Sequence, residues 1–242
     1  MQALILAGGE GTRLRPLTYT TPKPVMPLAG RPFLSFMLDW AHGHGVDEVI
    51  LSCGFLSDGV KRVLGDIYDG MRLRYVIEEE PLGTAGPVRL AFDEGVLEER
   101  LLVLNGDVLT DLDYADLLQQ HSLSGGGLTV AVAERTHRVE YGVLEVEASR
   151  IVGFREKPDL RYQVSMGVYW MSRKTLAPYP AGRAFGFDQL VLDLLARGDH
   201  PATFPFTGFW LDIGRPEDYD EANRSWDELR PRLLRDREGE PV

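Results

Sequence analysis

The 242-residue chain has one cysteine, Cys53, which excludes an intramolecular disulfide and any thiolate-built metal cluster. Long apolar runs are absent. The longest, such as 3–7 and 101–104, are strand-sized, far short of the roughly 20 residues that cross a bilayer. A secretory leader is not expected, because Met1-Gln2-Ala3 carries no basic segment and the apolar stretch ends at Gly8-Gly9. His42, His44, His121, His137 and His200 fall into no metal-binding spacing and are expected at the surface or in caps. There is no serine nucleophile elbow. Positive charge is scarce too: a formal charge of −11 argues against a nucleic-acid partner, which calls for a basic face. These absences describe a protein expected in a reducing cytoplasm, without membrane or nucleic-acid partners. Cys53, just after an apolar strand, reads as a small core residue.

What remains is an ordinary globular composition, 44% hydrophobic and 26% charged. The first 31 residues run against the overall charge, with Arg13, Arg15, Lys23 and Arg31 facing Glu10 alone. A local basic pocket in an acidic protein suits a small anionic ligand drawn in by a focused field.

Apolar runs alternate with helical patterns through the first half: strands at 3–7, 48–52, 72–77 and 101–104, helices at 33–44, 57–64, 84–92 and 114–121. That alternation predicts a mainly parallel sheet covered on both faces, with ligands at the carboxyl ends of its strands. The second half shows strands at 128–133, 142–147, 151–155, 164–171, 202–206 and 209–213, with short connections that predict antiparallel additions. A helix is expected at 188–196, and another over 216–234 with a break at Pro231. The expected fold is α/β: a Rossmann-like three-layer sandwich with a mostly parallel, mixed central sheet and an antiparallel portion. A single domain over 1–226 is expected, followed by a polar C-terminal tail over 227–242.

The first strand empties into Leu6-Ala7-Gly8-Gly9-Glu10-Gly11-Thr12-Arg13-Leu14-Arg15-Pro16-Leu17-Thr18. Three glycines in four positions let backbone N–H groups turn towards a phosphate at close range. Arg13 adds a planar charged fork. The spacing fits neither a dinucleotide fingerprint nor a Walker loop. Downstream, Pro22 and Pro24 bracket Lys23 and are expected to hold it in extended chain as a point charge. Two further strands deliver a carboxylate into the crevice: 101–104 runs into Asn105-Gly106-Asp107, and 209–213 contains Asp212. Two carboxylates plus substrate phosphates suit Mg²⁺.

The string G-G-x-G-T-R-L-x-P-L-T, followed by P-K-P, resembles the signature of the sugar-phosphate nucleotidyltransferases. The closest pattern is that of the mannose-1-phosphate guanylyltransferase-like enzymes, and the likeness runs to about Tyr219. It implies that Gly8, Gly9, Gly11, Thr12, Arg13 and Lys23, with Leu6 and Ala7, handle the triphosphate. It also implies that Asp107 and Asp212, in N-G-D and W-x-D-I-G-x-P-E-D-Y, hold the metal. Glu78-Glu79-Glu80-Pro81-Leu82-Gly83-Thr84 resembles the second nucleotide motif, in which Gly83 and Thr84 approach the base. A carboxylate there can accept both N1–H and N2–H of guanine, whereas uracil and thymine present carbonyls. GTP is therefore favoured, with Glu78 or Glu80 as reader.

On the sugar side the resemblance assigns Glu156 and Lys157 of E-K-P to sugar hydroxyls and phosphate, and Gly142 of Y-G-V to the sugar's neighbourhood. Asn105 and Gly167 join them. Ser165-Met166 stands where the family has N-A, so the hydroxyl read at Ser165 differs, and Met166 reads as core packing. The activity implied is direct transfer of a nucleoside monophosphate from an NTP to a sugar 1-phosphate, mannose- or heptose-type favoured, with pyrophosphate as the second product. Alternatives are glucose-1-phosphate thymidylyl or uridylyl transfer and a non-catalytic nucleotide-sugar-binding regulatory subunit. Retention of Arg13, Lys23, Asp107, Lys157 and Asp212 favours the enzyme. A homo-oligomer is compatible with the sequence.

Overall fold

The computed structural model describes residues 1–9, 11–54 and 56–233. Chain order gives β1 (Gln2–Leu6), α1 (Phe33–Gly43), β2 (Glu48–Cys53), α2 (Ser57–Leu64), β3 (Met71–Ile77), α3 (Gly86–Asp93), β4 (Arg100–Asn105), β5 (Val108–Thr110) and α4 (Tyr114–Ser124). The second half adds β6 (Leu128–Arg138), β7 (Val143–Glu147), β8 (Arg150–Arg155), β9 (Asp159–Ser172), α5 (Phe187–Ala196), β10 (Ala202–Phe206), β11 (Trp210–Asp212), α6 (Pro216–Arg224) and α7 (Trp226–Leu233).

One eight-stranded sheet runs β10-β6-β9-β4-β1-β2-β3 and ends on the edge strand Ile67–Tyr68. β4, β1, β2 and β3 are parallel, as the βαβ alternation requires. β9 enters antiparallel between β4 and β6, and β10 lies parallel to β6. The period-2 alternation of β1 divides the core. Ala3 and Ile5 face a cluster with α1, α4, α6 and α7 (Phe36, Leu117, Ala222, Leu229), while Leu4 faces the other side with α3 and α5 (Val88, Ala91, Leu190). The result is a three-layer α/β sandwich with β1 at its centre. Among the described residues no helix is long and apolar enough to cross a membrane.

Several expectations shift. α3 begins at Gly86 rather than Thr84. The C-terminal helical stretch breaks at Ser225 and not at Pro231, which sits inside α7. Residues 227–233 of the expected tail belong to α7, and Leu229 and Leu233 are buried in the core; 234–242 lie outside the described residues. His121 is a core residue, bonded to Thr129 Oγ1 at 3.0 Å, not a surface group. Cys53 is fully buried, and burial together with Glu78 pushes its thiol up to about 12, so it is no nucleophile.

Beyond the sheet, β6 and β9 continue as an antiparallel arm pairing Arg138 with Asp159, and the β7–β8 hairpin lies between them in the chain. A bulge between Ser165 and Tyr169 separates arm from core along β9.

Candidate active site

β1 leaves the sheet between β2 and β4, where Ala7 N donates to Ser52 O (2.8 Å) and Gly106 N donates to Leu6 O (2.9 Å). Gly106 is required there, since a Cβ would stand 2.4 Å from the Leu6 carbonyl oxygen. The glycine loop then crosses the carboxyl edge of the parallel strands. Gly11 takes a left-handed turn (φ 60°), its carbonyl accepts from Thr18 Oγ1 (2.7 Å), and Thr12–Leu14 forms one 3₁₀ turn. Leu14 is buried and anchors that turn, while Thr12 and Arg13 stay exposed. Leu6, Ala7, Gly9, Gly11, Thr12 and Arg13 line a cavity of about 260 Å³, whose other wall carries Lys23, Gly106, Asp107 and Gly214.

Lys23 does not lie in extended chain as expected. Lys23–Val25 is a 3₁₀ turn, and the ammonium points inward to Asp107 Oδ2 at 2.7 Å. Asp107 and Asp212 meet because β5 and β11 pair antiparallel, with Asp212 opposite Val108 and Ile213 N donating to Asp107 O (2.9 Å). Asp212 is exposed, yet desolvation by the surrounding protein, and then the nearby Asp107 charge, raise its pKa above the ordinary carboxylate value. Lys23 and Arg13 oppose that shift. Arg13 reaches this corner: a Cβ on Gly214 would stand 3.1 Å from Arg13 Nη1 and 3.4 Å from Asp212 Oδ1. Tyr219 on α6 donates to the Pro27 carbonyl and ties the W-x-D-I-G segment to the loop after Lys23.

Two mutually repelling carboxylates with adjacent cations suit a hard divalent cation shared with phosphate oxygens. Among the described residues no group of three or more His, Cys, Asp or Glu gathers to hold a metal. The remaining ligands would have to be phosphate and water, as Mg²⁺ prefers.

Of the two candidate base readers, Glu78 is brought to the loop and Glu80 is left on an exposed turn. Glu78 Oε1 accepts from Ser52 Oγ (2.8 Å) and Oε2 from Leu82 N (3.1 Å). A Cβ on Gly8 would stand 2.3 Å from that Oε1, so Gly8 is small to admit the carboxylate. Gly83 is left-handed (φ 81°) and packs against the Phe185 carbonyl, where a Cβ would stand 2.6 Å away. Thr84 Oγ1 accepts from Phe187 N (2.9 Å), tying this loop to the start of α5. Sequence reasoning missed Ser52 and Gly54, the latter packed under Gly8; a small residue at each strand exit was the only available signal.

On the opposite side, Gly167 (φ 73°) lies against Asn105, and the buried Asn105 Oδ1 has no hydrogen-bond partner among the described residues. Ser165 Oγ donates to Tyr169 Oη (3.1 Å) and accepts from Gly167 N (3.3 Å). Met166 is buried as expected, and its carbonyl accepts from Trp210 Nε1 (3.0 Å). Glu156 reaches towards Gly142, where a Cβ would stand 3.4 Å from Glu156 Oε2. Lys157, left-handed at φ 41°, is exposed on the turn after β8. The loop, Lys23, Asp107, Asp212 and Glu78 thus form one compact cluster, while Gly142, Glu156 and Lys157 sit on the arm.

The sequence pattern described as Nucleotidyl transferase matches residues 2–228. The chain is 32% identical over 225 residues to D-glycero-alpha-D-manno-heptose 1-phosphate guanylyltransferase of Aneurinibacillus thermoaerophilus, covering 93% of this chain and 97% of that one. It is 34% identical to mannose-1-phosphate guanylyltransferase 1 of Arabidopsis thaliana, covering 90% of this chain but 63% of the plant protein. HddC from Yersinia pseudotuberculosis, solved in complex with GMP-PN, superposes with a TM-score of 0.72 at 29% identity, covering 93% of this chain and 99% of that one.

Proposed function

This chain belongs to the nucleotidyl transferase family as a sugar-1-phosphate nucleotidyltransferase, and from that premise we propose that it transfers GMP from GTP to a mannose- or heptose-type 1-phosphate. The observation that carries the reading is the meeting of Asp107 and Asp212 across β5 and β11 beside the glycine loop, Lys23 and Arg13.

An oxygen of the sugar 1-phosphate attacks the α-phosphorus, the bond to the bridging α–β oxygen breaks, and pyrophosphate leaves with that electron pair. The nucleophile is already anionic, so no general base is required. Catalysis reduces to holding two repelling anions in line and neutralising charge at phosphorus. The N–H groups of the glycine loop and the Arg13 fork bind the triphosphate, and Lys23 offsets phosphate charge. Mg²⁺, when bound by Asp107 and Asp212, supplies Lewis-acid neutralisation of the phosphoryl oxygens. Lys157 receives the phosphate of the sugar 1-phosphate and Glu156 its sugar hydroxyls, Gly142 leaves room beside the sugar, and Asn105 Oδ1, with Gly167 and Ser165, offers further polar atoms to the hydroxyls.

Glu78 reads the base in this scheme. Each of its oxygens already accepts one hydrogen bond, and an ionised carboxylate has about four acceptor positions, which leaves capacity for N1–H and N2–H of guanine. The names of the relatives support guanine. The chain works as a single domain to which α7 contributes, in the cytoplasm, where its one thiol stays reduced.

The test is a panel of GTP, UTP, dTTP and ATP crossed with mannose, heptose and glucose 1-phosphates, read by pyrophosphate release. GTP with a mannose- or heptose-type acceptor is expected to give the highest kcat/KM. Faster turnover with UTP or dTTP would remove the role given to Glu78.

A further inference from the structure

The cations of the compact cluster, Arg13 and Lys23, stand on the triphosphate side. On the arm, the reading above gives the second substrate only Lys157, which is exposed on a left-handed turn. A phosphomonoester carries up to two negative charges and is brought against another anion. One loosely held ammonium is a thin counterweight.

Arg135 on β6 has the properties that Lys157 lacks. Its guanidinium lies over the Trp210 ring, 4.4 Å from the centroid. Trp210 is itself fixed, because its Nε1–H donates to the Met166 carbonyl in the bulge beside Gly167 and Asn105. Trp210 and Asp212 are two residues apart on β11, so their side chains leave the strand on the same face. Arg135 therefore stands over the face that carries Asp212. The neighbouring charges of β6 are matched differently: Glu134 pairs with Arg161 at 3.7 Å and Arg138 with Glu140 at 4.0 Å, while Arg135 has no carboxylate partner among the described residues. An aromatic face orients a guanidinium without consuming its N–H donors. The stack leaves those donors at its rim, available to a phosphate.

We propose that Arg135, held flat on Trp210, is a further binding residue for the sugar 1-phosphate, contacting its anionic phosphate from the wall of the cleft opposite the glycine loop. This rests on the function proposed above and adds to it the residue that orients the acceptor substrate.

The experiment compares wild type with Arg135→Ala and Arg135→Lys, measuring KM for GTP and for mannose 1-phosphate or D-glycero-α-D-manno-heptose 1-phosphate, with melting temperature alongside. Loss of a charged hydrogen bond is expected to raise the sugar-phosphate KM in Arg135→Ala by about tenfold or more, with the GTP KM and melting temperature unchanged. Arg135→Lys restores the charge but not the planar stack, so only partial recovery is expected. Calorimetric titration of the sugar 1-phosphate without nucleotide should show the same order of affinity. An Arg135→Ala enzyme with an unaltered sugar-phosphate KM, or with both KM values raised together as the fold weakens, overturns the role of Arg135 and leaves the function standing. Wild type that releases no pyrophosphate with either acceptor overturns both.

Discussion

At the scale of single residues, the site holds two carboxylates that repel and a lysine, Lys23, that pairs with Asp107 and offsets the repulsion at Asp212. Ionised Asp212 is disfavoured in the folded protein by desolvation and by Asp107. Its folded pKa therefore lies above the unfolded one, and the cost to stability is present above that folded pKa and fades as pH falls through it towards the ordinary value of 3.8. Asp212→Asn is expected to lower turnover by orders of magnitude while raising the melting temperature at neutral pH, and the gain should vanish at acid pH. Calorimetry across pH, beside steady-state rates, checks both parts; wild-type turnover would remove Asp212 from the cation site. Asp107 and Asp212 were legible in the sequence because each ends an apolar strand, where the fold class itself puts ligands. The Lys23–Asp107 pair was not, since nothing local says that a Pro-Lys-Pro segment coils into a 3₁₀ turn and aims its lysine inward. Arg135 carried no signal at all: one arginine in a charged strand is ordinary until the partner 75 positions on is seen to be an indole.

At the scale of elements, periodicity located nearly every helix and strand, because burial on one or both faces writes itself into the spacing of apolar residues. Boundaries were set by contacts that spacing cannot show. Thr84 was read as the start of a helix and a base contact. The helix starts at Gly86, and the Thr84 hydroxyl accepts from Phe187 N and closes the first turn of α5, which has no side-chain cap of its own. Thr84→Val is expected to cost about 1 kcal/mol of stability, with the nucleotide KM little changed. Denaturant unfolding with steady-state kinetics separates the two roles, and a large rise in KM at constant stability would return Thr84 to the nucleotide. Pro231 was read as a helix break, but Ser225 is where the chain turns: its Oγ donates to Glu221 Oε1, and its carbonyl accepts from Glu228 N and Leu229 N. That turn lets Leu229 and Leu233 face the core.

At the scale of the whole molecule, a net charge of −11 opposes the approach of a triphosphate, and in the proposed reading Arg13 and Lys23 in the cleft attract it. Salt screens the long-range repulsion and the local attraction alike, but the local contacts set affinity, so the GTP KM is expected to rise as salt goes from about 0.05 to about 0.5 M. A flat profile would show that backbone N–H groups, not side-chain charge, hold the nucleotide. The parallel half of the sheet could be read from alternation alone. The strand order could not, because the insertion of β9 between β4 and β6 depends on pairings between segments far apart in the chain. The pairing of β5 with β11 has a consequence for how the enzyme comes into being. A nascent chain that has emerged only as far as Phe206 already carries the glycine loop, Lys23 and Asp107, yet lacks Asp212, the other half of the cage proposed for the cation. Under the proposed reading competence arrives late in synthesis, when β11 docks against β5, so a translation product that stops short of it is expected to do no chemistry.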